Sequence, residues 1–249
     1  MRVAVIIPTY NERENLPPLT RELLSLAQVG HLIVVDDNSP DGTGELAEKL
    51  AEKEPRIVVV HRPGKQGLGR AYVAGFRRAT ELGADVIITM DADFSHHPRY
   101  IPAMLSRLAE SYDIVIGSRY VAGGGTRHWG VERQFLSAGA NMVARLSLGL
   151  RAHDCTAGFR AYRRHVLESI PLDEIRSNGY SFLVEMLYRC QQAGFRVGEI
   201  PISFEDRRHG PSKISREEIY KAMLTVFRLA LDRLLRLGRR RPAAGRLSH

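Results

Sequence analysis

Between Arg2 and Gly117 one unit recurs: a short, continuously apolar run, a polar turn-rich loop, and a helical pattern. The runs are Arg2–Ile7, His31–Val35, Arg56–His61, Asp85–Met90 and Asp113–Gly117. Continuous rather than alternating hydrophobicity marks strands buried on both faces, as in parallel sheets. One helix follows Asn11 or Asn15, with Pro17 and Pro18 in its first turn. The next are about Gly44–Lys53, Leu68–Leu82 and Arg99–Ser111. This alternation predicts an α/β domain, a mostly parallel sheet with helices on both faces. Ligands of such sheets bind beyond the carboxyl ends of the strands. The site is therefore expected in the loops Pro8–Glu12, Asp36–Gly42, Asp91–Ser95 and Gly117–Tyr120.

The fourth run ends in Asp91-Ala92-Asp93, within ADVIITMDADFSHHP (Ala84–Pro98). Residues i and i+2 of an extended chain point to one side. Two carboxylates so placed can share one hard cation. Mg²⁺ and Mn²⁺ take oxygen ligands and are commonly held by one or two carboxylates plus substrate phosphates. Asp is also common in loops after strands, so the pair gains meaning only from its surroundings. No G-x-G-x-x-G follows the first strand and no G-x-x-x-x-G-K-[ST] occurs, which excludes the dinucleotide fingerprint and the P-loop. Gly64–Gly69 reads as a turn with a helix start.

The 249 residues carry 36 basic and 28 acidic side chains, a net charge of +8, which points to an anionic partner. Much of the excess falls between Arg207 and Arg246. Cys155 and Cys190 have no C-x-x-C spacing, so a reduced, intracellular chain is expected rather than a disulfide or structural zinc. No apolar run reaches the ~18–20 residues that crossing a bilayer takes, and Val3–Ile7 lacks the layout of a signal peptide.

Val121–Gly130 is glycine-rich and reads as a mobile loop beside the site. Helical patterns follow at Phe135–Leu150, around Arg164–Ile170 and at Tyr180–Gly194, the last carrying Glu185. Arg196–Phe204 is strand-like, and Pro201 favours an edge or a strand end. A long helix spans Ser215–Leu237, with Ile219, Met223, Val226, Phe227, Ala230, Leu234 and Leu237 on one stripe. That stripe suits packing on the domain or lying on an anionic membrane surface; pattern alone favours packing. The expected division is a catalytic domain over 1–214, a basic amphipathic helix over 215–238 and a disordered tail over 239–249.

PTYNERENL (Pro8–Leu16), VVDDNSPDGT (Val34–Thr43), MDADFSHHP (Met90–Pro98), GSRY (Gly117–Tyr120), ERQFLSAGAN (Glu132–Asn141), DCTAGFR (Asp154–Arg160) and PISFEDRRHGPSK (Pro201–Lys213) come in one order across the chain. Together they resemble the polyprenol-phosphate sugar synthases of glycosyltransferase family 2, relatives of dolichyl-phosphate β-mannosyltransferase. The resemblance implies a GT-A fold and inverting transfer of a hexose from a nucleotide sugar to a polyprenyl monophosphate. It implies that Pro8, Tyr10, Glu12, Val35 and Asp37 hold the nucleoside. Asp91 and Asp93 would meet a Mg²⁺ or Mn²⁺ ion and the diphosphate, with Ala92 and Ser95 beside the donor. The family often has Gln where Ser95 stands. Arg207 and Lys213 would reach the diphosphate or the closing loop, and Arg119 and Arg133 the acceptor phosphate. The catalytic set is thus Asp93, Arg119 and Arg133. The mannosyl branch matches best, so GDP-mannose is expected as donor, with UDP-glucose as the alternative.

The chemistry is consistent with that reading. A departing diphosphate needs positive charge, from a metal and from fixed cations. A sugar hydroxyl needs a general base, whereas a phosphate monoester, with its second pKa near 6, is already ionised and needs orientation. Arginine suits that task. Glu185 is the one candidate base on the helix Tyr180–Gly194 and reads as a structural or orienting carboxylate. No Q-x-x-R-W occurs, which disfavours a polymer product. A lipid acceptor implies peripheral association with the cytoplasmic face of the membrane, through the C-terminal helix or a membrane-anchored partner protein. A transferase with a soluble acceptor is the rival reading. A nucleic-acid-binding protein is disfavoured, because the basic residues lack interleaved aromatics and the strand-end loops are acidic.

Overall fold

The computed structural model describes residues 1–127, 129–175, 177–205 and 216–239. Its central sheet has the order β3-β2-β1-β4-β7-β5-β8. The strands are β1 (Val3–Thr9), β2 (Val29–Asp36), β3 (Ile57–His61), β4 (Val86–Thr89), β5 (Ile114–Ser118), β7 (Arg160–Arg163) and β8 (Val197–Pro201). All five apolar runs form strands, and β1, β2, β3 and β4 pair in parallel. Side chains alternate between two layers. Ala4 and Ile6 face one apolar cluster with Ile33, Val35 and Ile87, while Val3, Val5 and Ile7 face the other with Leu32, Val34 and Ile88. Helices cover both layers: α1 (Leu16–Leu24), α2 (Thr43–Ala51), α3 (Leu68–Glu81), α4 (Ile101–Ala109), α5 (Val131–Leu148), α6 (Arg164–Ser169), α7 (Tyr180–Gln192) and α8 (Arg216–Arg239). Helix α3 lies close on β1, because a Cβ added at Gly75 would come within 2.5 Å of the Ile6 side chain.

Asn15 precedes α1 but makes no side-chain cap; its amide instead donates to Glu12. Pro201 ends β8 at the sheet edge, where a missing N–H costs no ladder bond.

Three features depart from the pattern expected of the sequence. Strand β7 is antiparallel to both β4 and β5, between which it is inserted. Its four residues begin and end in arginine, so nothing in their hydropathy marks a central strand. Arg160 is fully buried nonetheless. Its guanidinium donates to the carbonyls of Ala157, Leu183 and Cys155, each at 2.8 Å, which satisfies the charge without a carboxylate. Second, the glycine-rich segment is anchored: β6 (Gly125–Thr126) pairs with β9 (Ser203–Phe204). Third, α5 begins at Val131, so Arg133 sits in its first turn.

Helix α8 packs against α7 and α5. Thr225 and Leu229 are buried and Val226 and Ala230 half-buried, but Met223, Leu224, Phe227, Leu231 and Leu235 are exposed. The apolar stripe is therefore divided between the domain and the outside. Helix α5 shows the same inversion. Asn141, Ala144 and Leu148 are buried, whereas Val131, Phe135, Met142 and Leu146 point outward on the opposite face. Among the described residues, every exposed large apolar side chain except Met1 belongs to α5 or α8.

Candidate active site

The β1 and β2 loops are laced together. Asp36, 2% exposed, accepts from the Thr9 hydroxyl and from the amide and hydroxyl of Ser39. Ser39 in turn accepts from Asn11 N–H, and Thr43 from Glu12 N–H. These bonds fix a turn with Asn11 at φ 57° and Asn38 at φ 56°, a region that asparagine tolerates better than most residues. Glu12 and Asp37 are buried at the rim, and Tyr10 is half-buried beneath Lys65, whose Nζ lies 4.7 Å from the ring centroid. Asp37 pairs with Arg62, which also donates to Gln66. Burial nevertheless outweighs Arg62 and raises the Asp37 carboxyl above its ordinary value. Pro8 is half-buried at the end of β1, and the Val35 side chain lies fully in the core rather than in the loop cluster.

Beyond β4, Asp91 is partly exposed and Asp93 and Ala92 are buried. The Ser95 amide donates to Asp93 Oδ1 at 3.1 Å across Phe94, whose φ is 65°. The Asp91 amide donates to His96 Nδ1 at 3.1 Å, and the Tyr72 hydroxyl donates to Asp91 Oδ1 at 3.4 Å. Gly158 keeps this corner open: a Cβ there would lie 3.3 Å from the Tyr72 hydroxyl and 3.6 Å from Asp91 Oδ1. Ser95 Oγ is buried with no hydrogen-bond partner. Two carboxylates and an orphaned hydroxyl within five residues of one loop are the oxygen donors that suit a hard divalent cation. Among the described residues no cluster of three or more His, Cys, Asp or Glu gathers as a closed metal cage, so substrate oxygens would have to complete the shell.

The antiparallel course of β7 brings the segment before it to the same sheet edge. There Arg119, just after β5, is gripped by the fully buried Asp154: Nε to Oδ2 at 2.7 Å and Nη2 to Oδ1 at 2.8 Å. Thr156 accepts from Nη2 as well. Burial opposes the Asp154 charge, but the Arg119 guanidinium prevails and holds the carboxyl below the usual range. The Trp129 ring meets both predicted acceptor arginines, with Arg133 4.0 Å and Arg119 5.7 Å from its centroid. Trp129 also packs edge-on to Phe204 at 5.4 Å.

The remaining reactive side chains are accounted for elsewhere. Glu185 is 1% exposed and accepts from Arg189, Ser177 and Arg228 of α8, so it clamps two helices rather than serving as a base. Burial opposes its charge, yet the hydroxyl of Ser177 and the two arginines lower its carboxyl. Burial pushes both cysteine thiols up to about 12, which leaves neither as a nucleophile. Arg207 and Lys213 lie outside the described residues.

The structure thus gathers Tyr10, Glu12 and Asp37 on one flank, Asp91, Asp93 and Ser95 at the centre, and Arg119 and Arg133 on the other. Sequence reasoning did not assign Arg62, Tyr72, His96, Trp129 or Asp154. Trp129 is the single tryptophan of the chain, a signal hidden by the glycines around it. Asp154 stands within a motif but pairs across 35 positions, a separation no local pattern reveals.

A mostly parallel sheet covered by helices on both faces, with its acidic loops beyond the strand ends, is a GT-A-like fold. The family model described as "Glycosyl transferase family 2" matches residues 4–170, and the chain belongs to that family. It is 48% identical over 226 residues to a polyprenol monophosphomannose synthase of Mycolicibacterium smegmatis, covering 90% of this chain and 85% of that one. It is 45% identical over 231 residues to an undecaprenyl-phosphate mannosyltransferase of Micrococcus luteus, covering 93% and 95%. Among solved structures, glucosyl-3-phosphoglycerate synthase from Mycobacterium tuberculosis, in complex with Mn²⁺, UDP and its product, superposes with a TM-score of 0.64 at 21% identity, over 93% of this chain and 79% of that one. That likeness carries the fold.

Proposed function

We propose that the chain transfers mannose from GDP-mannose, with inversion, to the phosphate of a polyprenyl monophosphate at a membrane surface. One observation carries the lipid-acceptor reading. Arg119 and Arg133 meet on Trp129 at the root of α5, and the outer faces of α5 and α8 are apolar. A cationic head site opening on an exposed apolar track suits an amphiphile with a phosphate head and a hydrocarbon tail. The names of the two bacterial relatives support the same acceptor class.

In this reading Asp37, Tyr10, Glu12 and Pro8 meet the nucleoside, with Val35 beneath them. Asp91, Asp93 and Ser95, beside Ala92, would hold Mg²⁺ or Mn²⁺, which stabilises the charge on a departing diphosphate. Arg207 and Lys213 are assigned to the diphosphate or the closing loop by resemblance. Arg133 and Arg119 orient the acceptor phosphate, and Asp154 fixes where the Arg119 guanidinium sits. A phosphate oxygen attacks the anomeric carbon as the bond to the diphosphate breaks. That oxygen is already ionised near neutral pH, in keeping with the commitment of Glu185, the candidate base of the later helix, to α8. Among the described residues no helix is long and apolar enough to cross a membrane. Contact would be peripheral, on the cytoplasmic leaflet, through α5 and α8 or with a membrane-anchored partner.

The test is transfer of radiolabelled sugar to a polyprenyl phosphate. GDP-mannose and UDP-glucose are compared side by side with Mg²⁺ or Mn²⁺, against Asp93→Ala. A metal-dependent lipid product from GDP-mannose alone, lost in the variant, is expected. Product only from UDP-glucose, or none with nucleotide still bound, would overturn the donor or the acceptor assignment respectively.

A further inference from the structure

We infer that His96 is a positioning residue for the metal-holding loop, and that it acts through the hydrogen bond its Nδ1 accepts from the Asp91 amide. The inference rests on the reading that Asp91 and Asp93 hold the cation; it does not depend on the lipid acceptor. Residues 91–96 form a short loop that leaves β4, reverses at Phe94 and returns. A contact that closes this loop restrains the Asp91 backbone and with it the setting of the carboxylate it carries.

His96 supplies that contact. Its side chain folds back on the residue five positions earlier and takes the Asp91 N–H at 3.1 Å. An Nδ1 that accepts leaves the ring proton on Nε2. The ring itself cannot swing away. It is 2% exposed, stacked on Phe159 with centroids 5.2 Å apart and planes 21° apart, and met edge-on by Phe204 at 5.4 Å. Phe159 precedes β7, and Phe204 also touches Trp129 and lies 5.5 Å from Arg119. The histidine is therefore held from the acceptor side while it holds a residue of the donor side. A ligand role for its Nδ1 is closed, because that nitrogen is occupied by the amide.

Two substitutions separate the hydrogen bond from the packing. His96→Asn keeps an acceptor oxygen at the Nδ1 position and gives up the ring. His96→Phe keeps a ring between Phe159 and Phe204 and removes the nitrogen that accepts from the part-buried Asp91 amide. The full chain is titrated with Mn²⁺ in the presence of GDP, with UDP as a second arm, and free Mn²⁺ is read by electron paramagnetic resonance. Thermal midpoints and nucleotide binding in EDTA are read alongside. His96→Phe is expected to weaken Mn²⁺ binding about tenfold, because the Asp91 amide loses the acceptor that orients it, with metal-free nucleotide binding intact and a thermal midpoint lowered by only a few degrees. His96→Asn is expected to lower the midpoint more, yet to bind Mn²⁺ within a few-fold of the parent. A residue that only packs would give the reverse order. Native Mn²⁺ affinity in His96→Phe, equal weakening in both variants, or no Mn²⁺ binding by the parent protein with either nucleotide overturns the proposal.

Discussion

The two outward phenylalanines offer a direct measure of whether the apolar faces of α5 and α8 meet lipid. Phe135 is 75% exposed and Phe227 71%. Transferring a whole phenylalanine side chain out of water is worth about 1.5–3 kcal/mol. Scaled by those exposed fractions, each contributes about 1–2 kcal/mol on entering a bilayer interface. Replacing both by serine therefore removes about 2–4 kcal/mol of transfer free energy, a drop of roughly 30-fold to 1000-fold in partition coefficient. Neither ring is buried in the folded protein, so the thermal midpoint should hold. Sedimentation with vesicles containing anionic phospholipid reads the partition. Two acceptors then read the consequence: a long-chain polyprenyl phosphate in the vesicles, and a short, water-soluble prenyl phosphate. The double variant should lose transfer to the first and keep transfer to the second. Unchanged partitioning, or an equal loss on both acceptors, would refute the assignment of this surface to lipid.

The Arg119–Asp154 pair should dominate local stability: Asp154→Asn leaves a largely buried guanidinium without its carboxylate, a loss of about 3–5 kcal/mol by urea denaturation. Because the folded carboxyl sits below its ordinary value, its contribution is complete above about pH 4 and fades as pH falls through the depressed folded value. The parent should therefore lose stability more steeply with acid than the variant. Glu185→Gln should loosen α8, costing about 2 kcal/mol because Arg189 and Arg228 are themselves part-exposed. Transfer to the short prenyl phosphate should fall less than tenfold, and a far larger loss at native stability would restore Glu185 as a base.

What could be read in the sequence follows from how locally each feature is encoded. The strands β1 to β5 declare themselves because each is a continuous apolar run with a turn at its end, and the loops that line the site follow from that order. The carboxylate pair was legible for the same reason: Asp91 and Asp93 are neighbours in the chain. Strand β7 was hidden. Its Arg160 is buried by three backbone carbonyls that only the folded chain brings together. The stripe on α8 could not be assigned from periodicity, because the structure uses both outcomes, with Val226 and Ala230 half-buried against the domain and Met223 and Phe227 exposed. His96 was visible only as a letter in a motif; its task depends on Phe159 and Phe204, far along the chain.

The inserted antiparallel strand also bears on how the site brings two anions to one carbon. A sugar diphosphate and a phosphate monoester repel, so each needs its own positive partner. Strand β4 leads to Asp91 and Asp93, proposed above to hold the cation, while β5 leads to Arg119. Between them β7 runs the opposite way and delivers Asp154 and Thr156 to that same edge. Asp154 largely offsets the Arg119 charge, so this arginine has most to offer as a directed donor and little as net charge. Arg133 lies against the face of Trp129, where a cation and a ring attract without cancelling the charge. On the proposed reading the two arginines divide the work: Arg133 would supply attraction for the acceptor phosphate, and Arg119, locked in place by Asp154, its direction relative to the donor.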